Sequence, residues 1–128
     1  MRHKVKTRRL SRFSSLRKAT VNSICRALVI SQSIRTTYTK AKAVAPEVER
    51  LISLAKEGTL AAKRRAFRVL LSHDLVNKLF GEIAELFKSR SSGFTRVLRC
   101  GIRRGDGAQV AILELTEKSK KKKKAKKE

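Results

Sequence analysis

Apolar residues recur every three or four positions over most of this chain, and about every second position near its end. The first spacing is typical of helices with one buried face, and the second of strands. The helical spacing predicts a first helix from Ser14, interpreted as its N-cap, to about Ser31. Two later helices are predicted after the N-cap residues Thr59 and Ser72.

The second helix has the most regular apolar stripe of the four. We expect Thr39 to cap its start and Gly58 to end it in the left-handed conformation. Pro46 interrupts the pattern, because proline lacks a backbone donor and its ring clashes with the preceding turn. The sequence therefore predicts either a kink near Lys42–Ala45 or a later start of this helix.

Three segments have the alternation of strands: SIRTTYTK after the first helix, then FTRVLRCGIR and AQVAILELT near the end. The last two flank RGDG, whose Gly105 and Gly107 suit a hairpin turn with positive φ. We therefore predict an α+β fold of two layers in the order α-β-α-α-α-β-β. A small three-stranded sheet would pack against the helices.

Charge divides the 128-residue chain into three parts. Residues 1–13 form a predicted basic arm, 14–117 the globular α+β domain and 118–128 a Lys-rich tail that we expect to be disordered in isolation. The chain has 33 Lys and Arg against 10 Asp and Glu, a formal net charge of +23. Because self-repulsion on this scale opposes compaction, the composition indicates a polyanionic partner.

Other classes of function find little support in the sequence. The longest apolar run, ALVI, is too short to span a membrane, and no glycine-rich phosphate loop is present. The triplet SHD at 72–74 cannot form a triad, since consecutive helical residues point in different directions. Cys25 and Cys100 lack metal-ligand spacing and are predicted to be buried free thiols. We expect no enzyme activity, cofactor, metal or small-molecule substrate.

Nucleic acid is the polyanion that the basic residues favour, because arginine matches phosphate oxygens in a planar fork. Extended tails at both ends suit insertion into a large folded RNA, where they order as the RNA folds. A nucleoid-associated DNA-binding protein is the alternative, although no intercalating wedge or helix-turn-helix is evident. Phe13 and Phe94 are candidate stacking platforms for bases. The predicted hairpin adds Arg99, Arg103 and Arg104 as candidate phosphate contacts.

Several motifs together resemble the bacterial-type family of large-subunit ribosomal protein L-seventeen, from Met1 to about Glu117. They are MRH at the start, SS at 14–15, TT at 36–37, KAK at 40–42, KLF at 78–80 and GFTRVLRCGIRRGD at 93–106. The resemblance implies a structural protein that binds large-subunit rRNA near the nascent-chain tunnel exit. It also implies neighbouring large-subunit proteins as partners, a monomer within the particle and a cytoplasmic ribosomal location.

Predicted RNA-binding residues come from the family resemblance and from the distribution of positive charge. The resemblance implies RNA contacts at Arg2, His3, Arg8, Arg9, Ser14, Ser15, Arg17, Thr36, Thr37, Lys40, Lys42, Arg64, Arg65, Arg90 and Arg96. Positive charge on the arm, the first helix, the first strand and the third helix adds Lys4, Lys6, Arg12, Lys18, Arg35, Lys63 and Arg68.

Overall fold

A three-stranded antiparallel sheet packs against helices in the computed structural model of the protein, which describes residues 8–118. The elements are α1 (Ser14–Ser31), β1 (Ser33–Thr37), α2 (Tyr38–Glu57), α3 (Leu60–Leu70), α4 (His73–Lys78), a π-helical turn (Leu79–Ile83), α5 (Ala84–Leu86), β2 (Thr95–Ile102) and β3 (Gln109–Leu115). The predicted α+β class and element order are confirmed. The start of the predicted arm and nearly all of the predicted tail lie outside the described residues.

The sheet has the strand order β1-β3-β2, so the last strand of the chain lies in the centre. Leu113 of β3 pairs with Ile34 of β1 on one side and Val97 of β2 on the other. Because directly paired residues of neighbouring strands point to the same side of a sheet, these three side chains lie on one face. That face meets α2, which contacts all three strands. Packing of α2 on the sheet therefore holds the amino-terminal end of α2 beside the ends of β1 and β2.

The hydrophobic core joins every layer of the described chain. Phe87 and Phe94 are fully buried and pack edge-on with their ring centroids 5.2 Å apart. The prediction of Phe94 as an exposed stacking platform is therefore wrong, because this ring occupies the core just before β2. Phe13, the other candidate platform, is 85% exposed.

Two predicted N-caps at the amino-terminal end of the body are wrong. Ser14 is the first residue of α1, where Phe13 takes the N-cap position without a side-chain hydrogen bond. Thr39 lies inside α2, which begins at Tyr38 after Thr37, again without a side-chain cap. Both long helices therefore start without a capping side chain, a point that bears on the site described below.

The N-cap of α3 and the end of α2 follow the prediction. The hydroxyl oxygen of Thr59 accepts a hydrogen bond from the Ala62 amide at 3.1 Å. Gly58 has φ +68° at the end of α2, the left-handed conformation that glycine adopts without strain. Ser72 precedes α4, but its side chain makes no capping hydrogen bond.

Pro46 lies inside α2, so the predicted later start of that helix is wrong. The residues on both sides of it, Val44 and Val48, are buried against the core. Burial of this apolar face offsets the single backbone hydrogen bond that proline cannot donate.

A π-helical turn divides the fourth predicted helix at Leu79–Ile83. Such a turn adds a residue to the helical repeat and rotates the following residues around the axis. Leu79, Ile83 and Phe87 are buried, whereas Leu75 is only partly buried. Ala84, which directly follows the π-helical turn, is also buried.

The structure also bears on the predictions about the two cysteines and about membrane-spanning segments. Cys25 is buried, as predicted, but Cys100 is exposed on β2, so its predicted burial is wrong. Within residues 8–118, no helix combines enough length with enough apolar character to cross a bilayer.

Candidate nucleic-acid interface

Two adjoining grooves lie where α1 and α2 begin, and together they form what we call the amino-terminal groove. The first, of about 510 Å³, separates the start of α1 from the first turns of α2. The second, of about 410 Å³, lies between residues 8–12 and the start of α2, and Arg8 lines both. The cations that line the two grooves are Arg8, Arg9, Arg12, Arg17, Lys18, Lys40, Lys42 and Arg50.

This surface carries a strong excess of positive charge. Among the described residues that line it, Glu47 is the acidic one, and its carboxylate contacts the Arg50 guanidinium at 2.8 Å. Both side chains of that ion pair are exposed, so the pair is weak and screened by salt. The other cations concentrate positive potential in a concave surface, which attracts a polyanion.

The first turns of two helices add to this positive potential. Ser14 of α1 and Thr39 and Lys40 of α2 line the amino-terminal groove. Neither helix has an acidic residue in its first turn. The unpaired backbone N–H groups and the helix dipole make a helix start favourable for a phosphate.

Residues 8–13 of the predicted arm contact the body. The Arg12 guanidinium donates to the hydroxyl oxygen of Thr20 on α1. The Arg12 amide donates to the Arg9 carbonyl at 3.2 Å, and Leu10 and Ser11 between them have positive φ. This turn places the Arg8 and Arg9 side chains beside the start of α2.

Tyr38, the first residue of α2, joins the hairpin to the amino-terminal groove. The Arg99 guanidinium of β2 lies over its ring, 4.5 Å from the centroid, and the Lys42 ammonium is 5.8 Å from the same centroid. A hydrogen bond from Arg99 lowers the pKa of the Tyr38 hydroxyl, and the nearby charges of Lys42 and Arg8 lower it further. The positive surface therefore continues from the helix starts onto β2.

The basic residues of α3 lie elsewhere. The Lys63 ammonium is 5.8 Å from the Phe80 ring centroid, in a groove at the other end of α2. Arg65 lines a depression against the middle and end of α2 beside Glu49 and Glu57, and Arg64 and Arg68 are exposed. None of the predicted RNA-binding residues of α3 lines the amino-terminal groove, but the depression that holds Arg65 shares Arg50 with it.

Several other predicted residues lie near carboxylates or away from the grooves. Arg90 contacts Glu117 at 2.8 Å, and Arg96 lies 3.9 Å from Glu114. These contacts partly compensate their charges. The remaining predicted residues are exposed or half-buried on the first turn of α1 and on β1: Ser15, Arg35, Thr36 and Thr37. Arg2, His3, Lys4 and Lys6 lie outside the described residues.

Sequence reasoning missed two residues of this surface. Tyr38 was assigned to a strand, and Arg50 follows Glu47 in a helix with charges of both signs. The spacing of Lys42, Pro46 and Arg50, four residues apart on α2, could have placed Arg50 on the same helix face. The approach of Arg99 to Tyr38 joins residues 61 positions apart, and no local signal predicts it.

Comparison with known proteins gives one consistent result. Residues 20–116 match the family model described as ribosomal protein L17. The chain is 45% identical over 117 residues to the large ribosomal subunit protein bL17 of Salinibacter ruber, covering 91% of this chain and 59% of that protein. It is 45% identical over 121 residues to the protein of the same name from Myxococcus xanthus, covering 94% of this chain and 87% of that one. It is 42% identical over 120 residues to the protein of the same name from Staphylococcus haemolyticus, covering 86% of this chain and 98% of that one.

Proposed function

Because this chain belongs to the ribosomal protein L17 family of structural large-subunit proteins, we propose that it binds large-subunit rRNA through the amino-terminal groove. In this proposal the protein stabilises folded RNA and has no catalytic step. The position near the nascent-chain tunnel exit, among other large-subunit proteins and as a monomer in the particle, is part of the same proposal and is supported by the family resemblance.

The observation that carries the proposal is the convergence of eight cations on one concave surface with a single lining carboxylate, Glu47, among the described residues. Positive residues scattered over a surface are ordinary, but these come from the arm, α1 and α2 and line adjoining grooves. Arginines among them donate two parallel hydrogen bonds to phosphate oxygens, and lysines contribute charge with less geometric demand. The arrangement fits the backbone of a nucleic acid.

The fold explains how this surface is held in place. Arg17 lies on the first turn of α1, and Lys18 and Lys42 lie at the start of the second turns of α1 and α2. The two helices pack together through core residues such as Cys25 and Val44. Burial of these residues keeps the helix starts side by side without an RNA partner, so part of the binding surface is preorganised.

Salt dependence provides the quantitative test. Each phosphate contact releases bound counterions, so the logarithm of the affinity falls linearly with the logarithm of salt concentration. We expect the double variant Arg17→Ala with Lys42→Ala to reduce this slope by about 1.5 for purified large-subunit rRNA. The matched control is Lys88→Ala, which removes an exposed lysine paired with Glu85 at the far end of the body. An unchanged slope in the double variant would contradict the proposed interface.

Sedimentation tests the cellular assignment. We expect the full chain in a cell lysate to travel with the large ribosomal subunit at moderate salt, and to be released only by concentrated salt. Cross-linking of the assembled subunit followed by mass spectrometry tests the position near the tunnel exit. Cross-links only to proteins remote from the exit would contradict that position.

A further inference from the structure

We propose that Arg99, stacked on Tyr38, forms a binding site for one unpaired base of the RNA. The interface would then recognise a single-stranded nucleotide in addition to backbone phosphates. This proposal rests on the proposed function, because it assigns a ligand to one part of the same surface.

The side-chain geometry provides a flat platform. A guanidinium is planar, and the Tyr38 ring lies 4.5 Å from the central carbon of the Arg99 group. The guanidinium thus lies over the face of the ring, and the Arg99 residue remains exposed to solvent. An arginine held in this way presents its other side to an incoming base with little further loss of side-chain entropy.

The backbone also fixes the position of Arg99. Arg99 pairs with Ala111 on β3, and a β-bulge interrupts the register between Arg99 and Gly101. Gly101 has φ +107°, a conformation that other residues rarely adopt. Bulges turn side chains to new directions and are common beside functional sites. Arg99 therefore lies on the same sheet face as Val97, beyond the core, where α2 begins.

The surrounding charge distinguishes Arg99 from Arg96 and Arg103 of the hairpin. Arg96 and Arg103 have carboxylates nearby, at 3.9 Å and 2.5 Å. Arg99 instead approaches an aromatic ring beside the Lys42 ammonium. The carboxylates beside Arg96 and Arg103 compete with phosphates for these two guanidinium groups. The surroundings of Arg99 instead favour an anionic ligand with an aromatic part. A nucleotide has both.

Single-stranded RNA is the form of the polymer that fits. Proteins recognise unpaired bases by stacking them on aromatic side chains or on arginine planes, whereas bases in a duplex already stack on each other. With a base on Arg99, its phosphates would lie near Lys42 and Arg8, on the groove side of the platform. The pair would thus place a loop or bulge of the RNA at the β2 edge of the groove.

The test is a footprint of the full-length protein on purified large-subunit rRNA, with one probe that modifies unpaired bases and another that cleaves the backbone. For Arg99→Lys, which keeps the charge and loses the plane, we expect loss of base protection at one unpaired nucleotide with the backbone footprint kept. Its affinity should fall about tenfold, the size of one lost base stack. Tyr38→Phe, which keeps the ring, should retain the protection.

Arg26→Lys is the matched control, since it makes the same change on α1 at a residue that lines neither groove. It should leave both footprints unchanged. If Arg99→Lys retains every base protection that the unaltered protein gives, the pair contributes to the fold or to a protein contact, and the proposal is overturned. Failure of the proposed function looks different, because the unaltered protein would then protect no rRNA at all.

Discussion

The Glu49 carboxylate of α2 accepts hydrogen bonds from both the amide and the hydroxyl of Thr95 at the start of β2, each 2.9 Å long. The two residues are 46 positions apart, and both are partly buried. One side chain therefore satisfies two donors at the point where the hairpin leaves the helical layer. This contact ties the hairpin, and Arg99 with it, to α2.

Removal of that contact should destabilise the fold. For Glu49→Ala we expect a loss of about 2 kcal/mol in the free energy of unfolding, because Thr95 is left with two partly buried donors. The control is Glu82→Ala, which removes an exposed carboxylate on the π-helical turn. Urea denaturation followed by circular dichroism measures both. Equal losses in the two variants would show that Glu49 has no special role.

The two predicted helix caps around α3 and α4 should differ in their effect on stability. Thr59 caps α3 through its hydroxyl, whereas the Ser72 side chain makes no capping hydrogen bond to α4. We expect Thr59→Ala to cost about 1 kcal/mol and Ser72→Ala no more than about 0.5 kcal/mol, by the same denaturation measurement. A larger loss for Ser72→Ala would contradict the capping geometry.

The hairpin turn should depend on pH through Asp106. Hydrogen bonds from the Arg103 guanidinium and from the Ala108 amide lower the pKa of this carboxyl from 3.8 to about 2. A lowered pKa in the folded state means that the ionised form stabilises the turn. That contribution is complete above about pH 4 and is lost as the pH falls toward 2.

Two measurements check this dependence. NMR titration of the Asp106 carboxyl should give a midpoint near 2. The stability difference between the unaltered protein and Asp106→Asn should shrink as the pH falls from about 4 to 2, because both then carry a neutral side chain. A midpoint at the ordinary value of 3.8 would contradict the hydrogen bonds to Arg103 and Ala108.

The two thiols should react at very different rates. Burial, together with the negative charge of Glu47, raises the pKa of Cys25 to about 12. Because the thiolate is the reactive form, Cys25 should be inert at pH 8, while the exposed Cys100 reacts. Ellman's reagent should therefore detect one thiol in the native protein and two in denaturant. Cys100→Ser should abolish the native reaction, and fast labelling of that variant would show that Cys25 is accessible.

The fold class followed from local patterns because each pattern has a simple physical origin. Repeats of 3.6 and of 2 residues record which side of a helix or strand is buried, and this gave the element order correctly. Glycine at Gly58 and in the RGDG turn indicated positive φ, since other residues adopt it with strain. Caps were less predictable. Ser14 and Thr39 are suitable residues, but packing of the whole helix decides where its first turn begins. Ser72 does lie at the N-cap position of α4, but its side chain makes no capping hydrogen bond.

For the binding surface, the sequence by itself determined that the protein carries a large excess of positive charge, concentrated at its ends, and that a polyanion should balance it. Only the tertiary structure decided which cations act together. It placed the starts of α1 and α2 side by side, left the α3 cations outside the amino-terminal groove and brought Arg99 over the Tyr38 ring. The reason is that charge is a property of each residue, whereas proximity depends on core packing between segments far apart in the chain.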